Sequence, residues 1–322
     1  MSTHKTRSQG QAAFEITIAN RSSPSTNKAT SSPFPLVLDL SSEPTVGEVK
    51  KAIQERIKRL GTHRQRLTTE EKRPLLDESK TLREENVKTG DVLYLKDLGP
   101  QVAWRTVFLT EYAGPLLIQP LLYYYGPVIW RKHFEYSQMQ KVAFGLVIAH
   151  FAKRELETLF VHRFSSATMP LFNIFRNSAH YWLLSGLFLG AATFSPYFSA
   201  QAVKGTIQDD PRFLGACTAV WALAELANFS CHLTLRNLRP AGTRKRGIPR
   251  GGLFELVSCP NYFYEIVAWI AFTVLTLSPA SAIFTVVASA YMFPWATARH
   301  RNYRKEFKDY PRQRKAIVPF IY

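Results

Sequence analysis

Apolar and polar residues alternate in two stretches near the start of the chain. Phe14, Ile16 and Ile18 occupy every second position, and the leucines at 36, 38 and 40 repeat the same spacing. A period of two places the apolar side chains on one face of a β-strand. The pattern therefore predicts a hairpin of two strands with a long polar loop between them.

A helix is predicted directly after this hairpin. Thr45 and Glu48 match a capping box, in which each side chain accepts a hydrogen bond from the backbone amide of the other residue. The apolar residues at 49, 53, 57 and 60 then follow one face of a helix. Gly61 fits the end of that helix, because glycine adopts the backbone conformation that helix ends favour.

Three short strand patterns follow, at residues 65–68, 81–82 and 91–96. The order of hairpin, helix and short strands is a β-grasp pattern, and it predicts a domain over residues 14–97 behind a flexible tail of residues 1–13. Residues 81–87 and 90–95 (TLREENV and GDVLYL) make this unit resemble ubiquitin. Conjugation is not implied, because the chain continues beyond the unit. We expect docking or stabilisation rather than catalysis, with a passive remnant as the alternative.

The pattern changes at Trp104, where long apolar stretches begin. They cover residues 104–130, 140–161, 171–198, 212–235 and 266–298. The last stretch has no charged residue and would be about 50 Å long as one helix, whereas the apolar core of a bilayer is about 30 Å thick. Ser278 and Pro279 near its middle therefore predict a turn between two helices. Residues 98–322 are expected to form an α-helical polytopic membrane bundle of about six to seven spans.

Charge supports a membrane location. The net charge is +17, which implies an anionic partner such as nucleic acid, phospholipid head groups or an anionic small molecule. The apolar stretches favour membrane lipid over nucleic acid. The strongly basic connections, residues 162–169, 236–253 and 299–322, are expected on the cytosolic side. This orientation also places both chain termini in the cytosol. The three cysteines match no metal motif, so we expect no disulfide and no metal.

Several polar residues lie inside the apolar stretches, where ionisable groups are costly and mark functional sites. They are His150, Lys153, Arg154 and Glu157, then Asn177, then Glu225, Asn228, His232 and Arg236, and finally Asn261 and Glu265. All are expected toward the cytosolic ends of their spans. For the polar residues between His150 and Glu157, the alternative is a helix end whose long side chains extend toward the membrane surface and form internal Lys–Glu pairs. We expect one cavity with an apolar interior and a cationic mouth, which suits acyl-CoA or a nicotinamide dinucleotide phosphate. No Rossmann motif is present.

Five stretches together carry a resemblance to a known family: residues 150–165, 228–240, 251–254, 258–262 and 300–320. On these stretches the chain resembles the steroid 5α-reductase superfamily and, within it, the trans-2-enoyl-CoA reductases of very-long-chain fatty-acid elongation. The resemblance implies a helical bundle in the endoplasmic reticulum membrane that holds NADPH on its cytosolic side. Further partners would be the elongase, ketoreductase and dehydratase of the elongation complex.

The resemblance also implies roles for particular residues. The NADPH contacts fall on Asn228, His232, Arg236, Arg239, Asn261 and Tyr303. The steroid branch has an acidic residue at the position of His232, so this contact is the one on which the two branches differ. Tyr262 and Lys153 are the implied catalytic pair, since the steroid branch has Phe at the position of Tyr262 and a tyrosine there, with Lys153, marks the enoyl reductase branch. A tyrosine of the interfacial aromatic belt is the alternative for Tyr262. Our substrate-cavity candidates are His150, Arg154, Glu157, Asn177 and Glu225.

The expected reaction moves hydride from NADPH to C3 of a trans-2-enoyl thioester and a proton to C2. Tyr262 is the expected proton donor or oxyanion partner, and the charge of Lys153 is expected to favour ionisation of the tyrosine. The alternatives are a sterol, steroid or polyprenol reductase of the same superfamily, or a non-enzymatic scaffold in the endoplasmic reticulum.

Overall fold

The computed structural model of the chain describes residues 14–21, 33–164, 167–240 and 247–322. The chain divides into two compact units. The first runs to Val102 and includes Ala167–Leu171, and the second comprises Ala103–Ser166 and Phe172–Tyr322. The return of Ala167–Leu171 to the first unit was not part of the sequence prediction, because that segment carries no strong strand pattern.

The first unit is built on a mixed four-stranded sheet. Its strands are β1 Phe14–Asn20, β2 Leu36–Leu40, β3 Gln65–Thr68 and β4 Val92–Asp97. Their order in the sheet is β2-β1-β4-β3, with β1 antiparallel to β2 and parallel to β4. A separate two-stranded sheet pairs β5 Gln101–Ala103 with β6 Thr168–Pro170.

The helix of the first unit, α1 Val46–Arg56, begins at the predicted capping box. The Glu48 amide donates to Thr45 Oγ1 at 3.2 Å, and the Thr45 amide donates to Glu48 Oε2 at 2.7 Å. The buried face of α1 joins an apolar core with the inward residues of the sheet. This pattern was predictable because period and cap agree on the same start and the same face.

Helices account for most of the second unit. They are α2 Trp104–Tyr124, α3 Gly126–Ile129, α4 Gln138–Leu156, α5 Phe172–Ala179, α6 Gly190–Thr193, α7 Ala200–Val203, α8 Pro211–Asn237, α9 Pro260–Thr276 and α10 Pro279–Glu306. A π-helical segment, Glu157–Val161, extends α4, and another, His180–Leu189, joins α5 to α6. α2, α4, α8 and α9 contribute to one apolar core that includes Phe151 and Trp269.

The turn predicted at Ser278 and Pro279 is present. α9 ends at Thr276, Leu277 has a left-handed backbone with φ of 46°, and α10 begins at Pro279. α10 then continues to Glu306, beyond the predicted apolar boundary at residue 298. Residues 299–306 contain neither glycine nor proline, so the change from apolar to basic composition does not end the helix.

Two helices, Pro211–Asn237 and Pro279–Glu306, are long and apolar enough to cross a membrane, judged by length and composition. In each, only 33% of the most apolar window is buried in the protein. Most of these side chains therefore face outward, as lipid-facing side chains do. The count of about six to seven spans stays a prediction.

Candidate active site

One group of buried polar residues in the second unit comes from three helices that pack together. α4 contributes its C-terminal turns, α8 its C-terminal half and α9 its first turns. The side chains meet there in a connected set that we call the polar network: His150, Lys153, Arg154, Glu157, Glu225, Asn228, His232, Asn261 and Glu265. The periodic polar positions of the sequence thus come together in space.

Glu225 joins α8 to α4. Its Oε1 lies 2.7 Å from His150 Nδ1, and its Oε2 accepts a hydrogen bond from Lys153 Nζ at 2.9 Å. The other ring nitrogen of His150, Nε2, lies 3.4 Å from Glu265 Oε1. The imidazole therefore sits between two carboxylates, and its ring packs against Trp269 with 4.8 Å between centroids. The ion pair between Lys153 and Glu225 offsets part of the cost of burying this carboxylate.

Asn228 connects all three helices. Its Oδ1 accepts from Lys153 Nζ at 2.5 Å, and its Nδ2 donates to the Asn261 carbonyl at 2.8 Å and to Glu265 Oε2 at 3.1 Å. Lys153 is thus held toward α8. Within the described residues, the Asn261 side-chain oxygen is buried and has no hydrogen-bond partner. A buried acceptor without a partner fits a site that receives a polar ligand.

Glu157, the first residue of the π-helical segment, contacts three basic side chains. Its Oε2 accepts from Arg154 at 2.7 Å, and its Oε1 lies 3.3 Å from Lys153 Nζ and 3.0 Å from His232 Nδ1. Arg154 also donates to the Tyr112 hydroxyl at 2.9 Å. The sequence candidates His150, Arg154, Glu157 and Glu225 therefore share one polar network with Lys153.

Glu157, His162 and His232 place potential ligand atoms within 4.8 Å of one another, close enough to hold a metal ion. Burial lowers the pKa of His162 to about 3, so its imidazole is neutral at physiological pH. Two cations, Lys153 and Arg154, already contact Glu157, however, and a divalent ion there would meet their repulsion. We keep the prediction of no metal on this electrostatic ground.

Tyr262 lies in the first turn of α9, where it packs on a buried cluster that includes Cys259 and Ile317. The guanidinium of Arg299 lies 5.5 Å from the centroid of its ring. Among the described residues, no hydrogen bond joins Tyr262 to Lys153, which is bound to Glu225 and Asn228. The cation next to Tyr262 is therefore Arg299, and sequence reasoning did not single it out.

Three arginines, Arg163, Arg236 and Arg239, lie close together near the C-terminal end of α8. Arg163 donates to the carbonyls of Arg236, at 3.2 Å, and of Arg239, and Arg239 donates to the Arg163 carbonyl at 2.5 Å. Positive charge of this density suits phosphate groups. Tyr303, on α10, is buried and stacks on Tyr310 with 5.4 Å between ring centroids.

Sequence reasoning missed Glu111, because it treated residues 104–130 as an apolar stretch. Glu111 lies on α2, is 1% exposed and has one carboxyl oxygen without a hydrogen-bond partner among the described residues. Its carboxyl interacts with Asn177, the remaining substrate-cavity candidate. The signal was present, since a single acid inside an apolar stretch marks a site by default.

Comparison with known proteins decides the family. The sequence profile described as 3-oxo-5-alpha-steroid 4-dehydrogenase matches residues 167–322. A Schizosaccharomyces pombe protein that is named as an enoyl reductase is 49% identical, over 82% of this chain and 88% of the relative. The very-long-chain enoyl-CoA reductase of Dictyostelium discoideum is 43% identical, over 87% of this chain and 93% of the relative. A Caenorhabditis elegans relative with the same designation is 42% identical, over 88% and 92%.

The chain belongs to the trans-2-enoyl-CoA reductase family of the steroid 5α-reductase superfamily. This family membership confirms the resemblance on which the sequence analysis relied, and it makes the protein an oxidoreductase with a membrane helical fold. The roles of individual residues stay predictions, and the distances above show which of them can act together.

Proposed function

We propose that this protein reduces trans-2-enoyl-CoA to saturated acyl-CoA with NADPH, as the last step of very-long-chain fatty-acid elongation. The observation that carries the proposal is the polar network, which lies buried among apolar helices in a member of the enoyl-CoA reductase family. Buried charges cost stability unless they are paired, and they are retained at sites of chemistry.

The described residues fit a phosphate-rich nicotinamide cofactor. Asn261 offers a buried acceptor without a partner, and the three arginines at the end of α8 offer positive charge. The residues that would hold NADPH are Asn228, His232, Arg236, Arg239, Asn261 and Tyr303. When bound, NADPH supplies the hydride that C3 of the enoyl group receives.

Tyr262 is the residue we assign to the other half of the reaction. Negative charge develops on the thioester oxygen as C3 is reduced, and stabilising that charge lowers the barrier. The Tyr262 hydroxyl donates a hydrogen bond to that oxygen or a proton to C2. Arg299, over the tyrosine ring, favours the anionic form of Tyr262 after the proton has left.

Lys153 acts within the polar network rather than on Tyr262 directly. It is fixed by Glu225, Asn228 and Glu157, so it sets the position of Asn228 and compensates the nearby carboxylates. The acyl chain would lie in the apolar part of the bundle, with His150, Arg154, Glu157, Asn177 and Glu225 near its polar end.

We also propose a membrane location and partners for this protein. The protein would span the endoplasmic reticulum membrane six to seven times, with both termini and the active site in the cytosol. The first unit would be a ubiquitin-like β-grasp domain that docks the elongase, ketoreductase or dehydratase. Its sheet order, β2-β1-β4-β3 with parallel central strands, supports this assignment.

NADPH oxidation by the purified full-length chain tests the proposal. A long-chain trans-2-enoyl-CoA and a 3-keto-Δ4 steroid are supplied separately. Oxidation with the thioester alone is the expected result. Oxidation with the steroid alone would move the protein to the steroid branch, and no oxidation with either would favour a polyprenol acceptor or a scaffold.

A further inference from the structure

The C-terminal segment, residues 310–317, pairs with the loop that leads into α9. The Lys315 amide donates to the Leu256 carbonyl at 2.9 Å, and the Ser258 amide donates to the Lys315 carbonyl at 2.9 Å. The Cys259 amide donates to the Ala316 carbonyl at 3.1 Å. These bonds fix the backbone immediately before Asn261 and Tyr262.

A second set of contacts converges on the Ser258 hydroxyl. Its oxygen lies 2.6 Å from His300 Nδ1 on α10 and 2.7 Å from the Tyr310 hydroxyl. Ser258 is 1% exposed. Through these two contacts the Ser258 hydroxyl ties the loop before α9 to α10 and to the segment that contains Tyr310.

Arg314 holds the first half of the same loop. It is 1% exposed, which is rare for arginine. One guanidinium nitrogen donates to the Pro249 carbonyl at 2.8 Å, and another donates to Glu255 Oε2 at 3.0 Å. Glu255 in turn accepts from the Gly251 amide at 2.7 Å. A planar group with several donors can fix two points of a loop at once.

The loop ends at the proposed active site. Cys259, Ala296, Ala316 and Ile317 form a buried cluster, and Tyr262 packs against it. The C-terminal segment therefore supplies part of the surface on which the tyrosine rests. A displacement of about 1 Å at a reacting group can cost about a hundredfold in rate.

We propose that residues 310–317 form a clamp that positions Asn261 and Tyr262 for the reaction, with Ser258, Tyr310 and Arg314 as its positioning residues. This inference rests on the proposed function. It adds that residues 310–317 support the active site, although Ser258, Tyr310 and Arg314 are not expected to touch the substrate or the cofactor.

The test compares two tyrosines of the C-terminal region. Tyr310→Phe removes the hydroxyl that contacts Ser258, and Ser258→Ala removes the other partner. Tyr322→Phe is the matched control, because its hydroxyl contacts Thr297 at an exposed position instead of the loop. The measurements are kcat, the KM for NADPH, the KM for a long-chain enoyl-CoA, and hydrogen–deuterium exchange of residues 249–262.

Tyr310→Phe and Ser258→Ala are expected to lower kcat and to raise the KM for NADPH, with kcat/KM reduced about 10- to 100-fold. Exchange in residues 249–262 should become faster, while the KM for enoyl-CoA stays within about twofold because the acyl site is not displaced. Tyr322→Phe should match the wild type. Arg314→Lys should retain more activity than Arg314→Met, since it keeps a donor on a long side chain.

Faster exchange with unchanged kinetics would overturn the clamp and leave a purely structural contact. Equal effects of Tyr310→Phe and Tyr322→Phe would also overturn it. A wild-type protein that does not oxidise NADPH with enoyl-CoA would instead refute the proposed function and, with it, the catalytic purpose of the clamp. The wild-type assay thus separates the two failures.

Discussion

The two units of the molecule differ in whether their ion pairs are exposed or buried. Among the described residues of the first unit, Lys50 is the one charged residue that is buried, and ion pairs such as Arg64–Asp97 lie at the surface with side chains 31% and 40% exposed. In the second unit the ion pairs of Glu157 and Glu225 are buried, with carboxylate side chains only 1% and 7% exposed.

This difference separates stability from chemistry. Surface pairs contribute little and cost little, so the first unit gains its stability from apolar packing. Buried pairs cost several kcal/mol in desolvation, and apolar residues of similar volume would often be at least as stable. Chemistry is therefore a better explanation of the polar network than folding, and we propose that this chemistry is enoyl-CoA reduction.

The largest expected effect comes from Tyr262. Tyr262→Phe removes only a hydroxyl and should lower kcat at least about 100-fold, as expected for the loss of a general acid. Tyr264→Phe, two residues along α9, is the control and should keep wild-type turnover. Steady-state NADPH oxidation measures both. Full activity in Tyr262→Phe would remove the tyrosine from the mechanism.

A second pair of variants compares the two units directly. Glu225→Gln removes one of the two carboxylates that contact each of His150 and Lys153, and Glu78→Gln removes the carboxylate that pairs with Lys50 in the first unit. We expect a loss of about 3–5 kcal/mol in unfolding free energy for Glu225→Gln.

Glu78→Gln should cost less than about 1 kcal/mol, because the Glu78 side chain is 43% exposed. Thermal unfolding in detergent, followed by tryptophan fluorescence, would give the ranking, and turnover should fall only in Glu225→Gln. Equal destabilisation of the two variants would contradict the difference between buried and exposed ion pairs in the two units.

Variants of Arg299 test which cation stabilises the anionic form of Tyr262. Arg299→Gln should lower kcat about tenfold through loss of the positive charge over the Tyr262 ring. Arg299→Lys should recover part of that loss. If both variants match the wild type, the cation beside the ring has no part in catalysis, and Lys153 would have to act on Tyr262 from a distance.

The smallest expected effect lies in the first unit. The hydrogen bond from Arg64 holds the pKa of Asp97 below its ordinary value. The resulting stability is present above the unfolded pKa of about 3.9 and is lost as pH falls through the lower folded pKa. Asp97→Asn should therefore cost less than about 1 kcal/mol at pH 7 and nothing at pH values below the folded pKa.

Thermal unfolding of both proteins across that acidic range is the measurement. Asp97→Asn should leave NADPH oxidation at pH 7 unchanged, since this surface pair lies outside the polar network. A large loss of activity would contradict the assignment of all chemistry to the second unit.

Sequence reasoning succeeded where local rules decide the outcome. The capping box at Thr45 and the turn at Ser278 and Pro279 follow from neighbouring residues alone, and both are present. The helix predicted to run toward Gly61 ends earlier, at Arg56, and Ile57 leaves the helical backbone while its side chain remains buried. The apolar period indicates which side chains are buried, but it does not show where the helical hydrogen bonds of the backbone end.

Contacts between distant segments were beyond the reach of these rules. The helical spacing of Glu225 and Asn228 predicted a shared face, but not that both would bind Lys153. The pairing of Arg299 with Tyr262 depends on the packing of α9 against α10, which no local pattern encodes. Polar positions inside the apolar stretches and the family resemblance supplied the candidate residues, and the folded geometry shows which of them are neighbours.

The most direct test of the central claim follows the hydrogen atoms of the reaction. The purified full-length protein is given a long-chain trans-2-enoyl-CoA with NADPH deuterated at its transferable position, and separately with ordinary NADPH in deuterium oxide. The account predicts one deuterium at C3 of the saturated acyl-CoA in the first experiment and one at C2 in the second. Deuterium at C2 from the cofactor, or no labelled acyl-CoA in either experiment, would contradict it.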